Sequence, residues 1–352
     1  MSIHTPMPRP ILFLSMDSTV CPLPVAVPPL SIAMVHRLTA PGEPKRTWTA
    51  PKDGVFWPTA LLPGSLREQH ANILTYGYNA DVYSRSNDRS ASDNFLFQHA
   101  QTLVAHLTAY RKSEGTTANP IIFVAHSLGG ILVKRALLYS SDVRSPHHEE
   151  HRGIFISTYA IIFLGTPHNG SSAATWGRVL QAMSDAVVPK KLFETESILL
   201  KTLKRDSERL FEINNHFLDI YQRFKIHMAH EGLKTDVKGT RYEASRRSAS
   251  SIVLSMPHYR MMIVDSDSAN PQLPGVTYYG IEATHSGMCK FDGETAPGYR
   301  TVSTALRDWV GEAPSVIQVR WALEDEDRSE RARREADERR MPFVSLGGTI
   351  CV

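Results

Sequence analysis

The sequence predicts an α/β fold, a mainly parallel sheet with helices on both faces. Three observations carry the prediction. Short apolar, β-branched runs alternate with stretches whose apolar residues recur at helical spacing. The runs are apolar at consecutive positions, as strands buried on both faces require. Within residues 121–130, Ile-Ile-Phe-Val-Ala-His-Ser-Leu-Gly-Gly, one pattern gives way to the other across a single tight turn. Repeated strand-to-helix alternation of this kind lays successive strands side by side through crossover helices.

Residues 1–30, with prolines at 6, 8, 10, 22, 24, 28 and 29, read as an extended, largely disordered arm. The fold proper is expected over 31–311. It starts with a strand at Ile32 to Val35 and a second at Asn72 to Tyr78. A helix follows, its face formed by Leu96, Ala100, Leu103, Val104 and Leu107 and its N-cap by Ser92 or Asp93. Ile121 to Val124 form the next strand, and Leu128, Ile131, Leu132, Ala136 and Leu138 the buried face of the helix after it. Ala160 to Leu164 is a further strand. A helical region from about Ser197 to Phe224 carries Leu203, Leu210, Phe217 and Phe224 a heptad apart, a stripe that helix packing explains before any cap over an acyl pocket does. Lys225 to Ala229 and Val276 to Ala283 are the last strands, and Tyr299 to Val310 a closing helix. Residues 239–260 are Arg/Ser-rich without a sustained period and read as a low-order insertion. Residues 312–352 form a charged helical tail in which Glu324, Asp327, Glu330 and Glu335 each precede an arginine by four residues, the pattern of a solvated helix.

Composition excludes several classes. The 352 residues, 42% hydrophobic, can bury a large core. A net charge of +3 with no basic stripe gives no support for a nucleic-acid partner. Cys21, Cys289 and Cys351 lack C-x-x-C spacing, which points to a reducing compartment and away from zinc or a disulfide framework. No signal peptide or membrane span is expected, so the chain is predicted to be intracellular and not secreted. No GxxxxGK[ST] occurs, and neither a metal nor an organic cofactor is implied.

The chemistry centres on Ser127. A serine at a sharp strand-to-helix turn among small residues is a nucleophile elbow: the turn is tight, the backbones crowd, and the hydroxyl is left exposed at the carboxyl edge of the sheet. Here the pattern is A-H-S-L-G, with Ala125 in the first small position. A hydroxyl needs a base, and the base an orienting acid. In α/β-hydrolase folds the chain order is Ser, acid, His. His285, in A-T-H-S-G-M after the last strand, fits the base. His168 is its rival, but no strand-end acid lies between it and Ser127. Glu231, at the carboxyl end of the strand from Lys225, is the first candidate acid and Asp265 the second.

Six ordered stretches carry a family resemblance: R-T-W-T at 46–49, F-W-P-T-A-L-L-P at 56–63, I-L-T-Y-G-Y-N-A-D-V at 73–82, H-S-L-G-G-I-L-V-K at 126–134, F-L-G-T-P-H-N-G-S at 163–171 and A-T-H-S-G-M-C-K-F at 283–291. With them the chain resembles the serine esterase domain of the serine-active-site-containing protein family. It resembles in particular the fungal forms that precede nucleotide-binding and repeat domains in large signalling proteins. The resemblance spans roughly 31–310 and implies an α/β-hydrolase fold, Ser127 and His285 as nucleophile and base, and association with mitochondrial or endoplasmic-reticulum membranes in some relatives. H-E-G at 230–232 matches the family's acidic strand end and favours Glu231. The expected substrate is a small-molecule or lipid ester; the sequence does not reveal its acyl or alcohol part, which leaves lipid, thioester and protein-linked esters open. Three features depart from the family: His36-Arg37 stands where His-Gly is usual, the 239–260 segment is longer, and no nucleotide-binding domain follows 311. The expected oxyanion donors are the backbone N–H groups of Leu128 and of the loop at Arg37 and Leu38, where an arginine at positive φ would be strained. His36, His126 and His168 are expected to line the site. The competing reading is a catalytically weak module that keeps the fold for signalling or partner binding.

Overall fold

A computed structural model describes residues 30–38, 45–67, 69, 71–79, 95–143, 148–168, 207–237, 259–264 and 266–340. Of the expected arm at 1–30, residues 1–29 lie outside the described residues and Leu30 opens a strand; Asp265 also lies outside them. Eight strands are described: β1 Leu30–Leu38, β2 Ala71–Asn79, β3 Ile121–His126, β4 Thr158–Leu164, β5 Lys225–Glu231, β6 Thr235–Val237, β7 Tyr259–Met261 and β8 Val276–Ile281. Six of them form one sheet in the order β2-β1-β3-β4-β5-β8, with every neighbouring pair parallel. β6 and β7 form a separate antiparallel pair.

β3 lies third from one edge because its first five residues are apolar and belong away from water. Ile121, Ile122, Phe123, Val124 and Ala125 are all fully buried. At roughly 1.5–3 kcal/mol for each large apolar side chain, their burial gives a gross stabilisation on the order of 10 kcal/mol. Alternate residues feed two cores. Ile121, Phe123 and Ala125 face helices α3 Phe95–Ser113, α4 Leu128–Asp142, α5 Glu149–Ser157 and α6 Ser207–Phe217. Ile122 and Val124 face the short helices α1 Trp57–Ala60 and α2 Leu62–Leu66 and the long helix α8 Tyr299–Arg340. A single turn, α7 Ser266–Ala269, sits between β7 and β8. The sheet is therefore covered on both faces, as the apolar runs predict.

Several expectations require correction. The helical region expected to reach Phe224 ends at Phe217, where turns and a 3-10 segment at Tyr221–Arg223 lead into β5. Leu210, Phe217 and Phe224 are all buried, so the heptad stripe records burial without a continuous helix. β5 continues past Ala229 to Glu231, its last two residues pairing with Gly280 and Ile281 of β8. Of the expected insertion, 239–258 lie outside the described residues and Tyr259 and Arg260 belong to β7. The closing helix and charged tail are one helix, unbroken at Pro314 from 299 to 340. Proline there denies the Val310 carbonyl its helical donor. The helix persists because Ala313 and Ile317 on either side are fully buried, and because Glu324 pairs with Arg152 of α5 at 2.7 Å.

Candidate active site

The carboxyl ends of β3, β4, β5 and β8, four neighbouring strands, bring the candidate residues together. Ser127 follows β3 with φ 56° and ψ −129°, a region that a residue bearing Cβ rarely adopts. Its N–H donates to the Leu164 carbonyl, and its own carbonyl accepts from Gly130 N–H and from Thr166 Oγ1 at 2.9 Å. The glycines explain the turn. A Cβ on Gly129 would lie 2.5 Å from the Val35 carbonyl oxygen, and one on Gly130 would lie 2.1 Å from Thr166 Oγ1. Only glycine lets α4 start this close to β1 and β4.

His285 lies beyond β8 on a segment stapled to the core. Trp57 Nε1 donates to the Cys289 carbonyl at 3.0 Å, the Cys289 thiol donates to the Thr47 carbonyl, and Met288 is fully buried. The ring sits against Gly165, which has φ 59° and where a Cβ would lie 3.0 Å from His285 Cε1 and 2.8 Å from Met288 Sδ. His285 Nε2 is 3.0 Å from Ser127 Oγ, and its Nδ1 is 3.6 Å from Glu231 Oε1. The order of contacts assigns the proton. The hydroxyl donates to Nε2, which leaves the ring proton on Nδ1 facing the carboxylate.

Glu231 and His285 are both buried, at 0% and 1% side-chain exposure, so this carboxylate has to find its donors within the protein. Val264 N–H donates to Oε1 at 2.5 Å and Thr235 Oγ1 donates to Oε2 at 3.2 Å. Neither donor is apparent in the sequence, because each comes from the β6–β7 unit. Gly165 stands in the F-L-G-T-P-H stretch, which gives no sign of its contact with the His285 ring.

The three flanking histidines divide. His126 Nε2 donates to the His285 carbonyl at 2.9 Å, and burial, with His285 next in effect, pushes its pKa down to about 3, so it holds the His285 backbone as a neutral ring. His36 is fully buried, with Nδ1 3.0 Å from Thr47 Oγ1, and it props β1 beneath the elbow without lining an opening. His168 is also buried, and burial holds its pKa well below the ordinary value. Its Nδ1 accepts from Lys134 Nζ at 2.6 Å, and the same ammonium donates to Asn214 Oδ1 at 2.6 Å. Lys134, which sequence reasoning passed over, is buried one helical turn beyond Gly130, and burial lowers its pKa to about 7. His168 therefore anchors the β4 loop to α4 and α6, with its Nδ1 taken up by Lys134.

Leu128 begins α4, so its N–H lies at the helix N-terminus beside Ser127, where partial positive charge gathers. Arg37 and Leu38, expected in a loop, are the last residues of β1 and pair with Tyr78 and Asn79. The parallel register with β2 carries the strand to that point, so Arg37 has extended backbone and the anticipated strain does not arise. Residues 39–44, which follow it, lie outside the described residues. Among the described residues no group of His, Cys, Asp or Glu side chains is placed to hold a metal ion, and no helix is long and apolar enough to cross a membrane.

No family model matches the chain. It is similar to Protein SERAC1 of Danio rerio, 25% identical over 202 residues that make up 57% of this chain and 25% of that protein. It is also similar to Protein SERAC1 of Bos taurus, 33% identical over 95 residues, 27% of this chain and 14% of that protein. The chain spans a quarter or less of the length of these curated relatives. Solved structures with a similar trace include the lipase BlEst2 of Bacillus licheniformis in mature form, with 15% identity and a TM-score of 0.40 over 80% of this chain and 91% of that one. Est1E from Butyrivibrio proteoclasticus has 14% identity and a TM-score of 0.41 over 81% of this chain and 88% of that one. With a parallel sheet covered on both faces and a serine elbow after its third strand, the chain has the α/β-hydrolase fold.

Proposed function

We propose that the protein is a carboxylic ester hydrolase working through an acyl-enzyme. The observation that carries this is the 3.0 Å contact from Ser127 Oγ to His285 Nε2 at a positive-φ elbow, with the buried Glu231 carboxylate behind the ring. Ser127 Oγ attacks the ester carbonyl carbon as its proton passes to Nε2. The resulting oxyanion is stabilised by Leu128 N–H at the start of α4. Collapse breaks the ester C–O bond, and the imidazolium returns the proton to the departing alcohol. Water then repeats the cycle on the acyl-serine, with His285 again as base, and releases the acid. Glu231 fixes the tautomer of the neutral imidazole and stabilises the imidazolium that forms in each half of the cycle.

The substrate is a small-molecule or lipid ester. With this reading we also propose an intracellular setting with peripheral association at mitochondrial or endoplasmic-reticulum membranes, which fractionation of a tagged full-length chain tests. A second reading, a hydrolase-fold module with little turnover that serves partner binding, draws on the 3.6 Å separation of His285 Nδ1 from Glu231, longer than a hydrogen bond. Reaction with a fluorophosphonate probe and with nitrophenyl acetate separates the two. An ester hydrolase is labelled at Ser127 alone and turns over, and Ser127→Ala abolishes both with the fold intact. Persistent labelling of the alanine variant excludes Ser127 as nucleophile. A labelled chain with no turnover favours the second reading.

A further inference from the structure

We infer that Thr235 is a positioning residue that sets the acid against the base, and that the β6–β7 unit exists at this edge to hold the Glu231 carboxylate. The inference rests on the ester-hydrolase reading and extends it to a residue no motif contains. A threonine hydroxyl has one proton to give and lone pairs to accept with. At Thr235 both capacities are used on the triad. The hydroxyl donates to Glu231 Oε2 at 3.2 Å and accepts the main-chain N–H of His285 at 3.2 Å. One side-chain oxygen therefore ties the carboxylate of the acid to the backbone of the base, across fifty residues of sequence.

The other carboxylate oxygen is held by the same unit. Thr235 opens β6, which pairs with β7 from Thr235↔Met261 to Val237↔Tyr259, and Val264, three residues beyond β7, donates to Oε1. Oε1 is also the oxygen that faces His285 Nδ1. Two donors thus define the carboxylate plane, one from each strand's flank, and both are buried with it. Because the acid-to-base separation is already 3.6 Å, a small rotation of the carboxylate changes the field at the imidazole substantially.

The test compares Thr235→Val, which keeps shape and loses the hydroxyl, with Thr235→Ser, which keeps the hydroxyl. The readouts are nitrophenyl acetate kinetics and the titration of the His285 imidazole by NMR, assigned with a His285→Gln variant. Removing or displacing a neighbouring negative charge lowers an imidazole pKa. Thr235→Val is therefore expected to lower the His285 pKa in the same direction as Glu231→Gln and by a smaller amount. It should cut kcat by about ten- to a hundredfold, the range for lost supporting contacts, with KM within about twofold. Thr235→Ser should restore both the titration and kcat. Added to Glu231→Gln, the valine should cost less than it does alone, because the share of its effect that passes through the carboxylate is already lost and only the contact to His285 N–H remains to lose. An unchanged or raised His285 pKa in the valine variant overturns the inference. So does a serine variant that behaves like valine, which also decides the matter if valine impairs folding. A wild-type chain that takes no fluorophosphonate label sinks the ester-hydrolase reading instead, and the titration still judges Thr235.

Discussion

Ser127 and Glu231 stand at the ends of β3 and β5, with β4 between them, yet they are held by unlike means. The serine is fixed by steric crowding of main chain: a strained φ, two glycines that permit contact distances no side chain could share, and hydrogen bonds to its own backbone. The carboxylate is fixed by hydrogen bonds to its side chain from residues 4 and 33 positions away. Crowding is all-or-none, whereas a hydrogen-bonded carboxylate can be weakened in steps. Damage to the glycines that crowd the elbow should therefore appear as lost fold, and damage at the acid end as lost turnover.

Glu231→Gln gives the largest effect. The amide keeps the shape but not the charge, and turnover should fall by roughly a thousand- to ten-thousandfold while the unfolding midpoint moves little. Asp265→Asn, at the other candidate acid, should change turnover by no more than a few-fold, and the reverse ranking in steady-state assays would exchange the two assignments. Gly129→Ala sharpens the contrast from the other side. Its methyl group would lie 2.5 Å from a backbone oxygen that cannot move aside, so a loss of about 3 kcal/mol or more is expected in urea titration. Gly165→Ala falls between the two. A Cβ there meets the His285 ring and forces a positive-φ alanine, so turnover should drop about a hundredfold with a destabilisation of about 1–3 kcal/mol. Equal losses of stability from Glu231→Gln and Gly129→Ala would erase the distinction.

Lys134 gives the smallest and most conditional effect. Burial lowers its pKa from 10.5 to about 7, so between those values the unfolded chain binds the extra proton and this group makes stability rise with pH. Lys134→Met removes that dependence. The stability of the variant relative to wild type should be greatest near pH 7 and decline toward pH 9.5, by at most about 1.4 kcal/mol per pH unit. Thermal unfolding across that range, above the titration of the buried histidines, checks the sign.

The same contrast explains what could be read from the sequence. The elbow is a local object, with strand, turn and helix inside about twenty residues, so Ser127, Leu128 and the buried face of α4 are legible as pattern. His285 and Glu231 are legible by chain order and strand ends. Thr235 and Val264 are not, because nothing in T-D-V or I-V-D signals that a carboxylate elsewhere needs donors. Lys134 sits within a helical apolar face and reads as an interruption until His168 and Asn214 are brought to it. The helix end expected at Val310 is absent for a related reason. Composition records which residues meet solvent, and α8 changes its surroundings near Pro314 without changing its backbone.

The backbone of Ser127 has an evolutionary consequence. Its φ of 56° suits glycine, and a non-glycine residue held in such a region costs on the order of 1–3 kcal/mol, more than glycine's extra chain entropy of roughly 0.5–1 kcal/mol. Selection for thermal stability alone would thus replace the serine with glycine and erase the hydroxyl, whereas selection for the proposed turnover would keep the strained residue. Position 127 is a place where a lineage's choice between a durable scaffold and a working one would be recorded in a single codon.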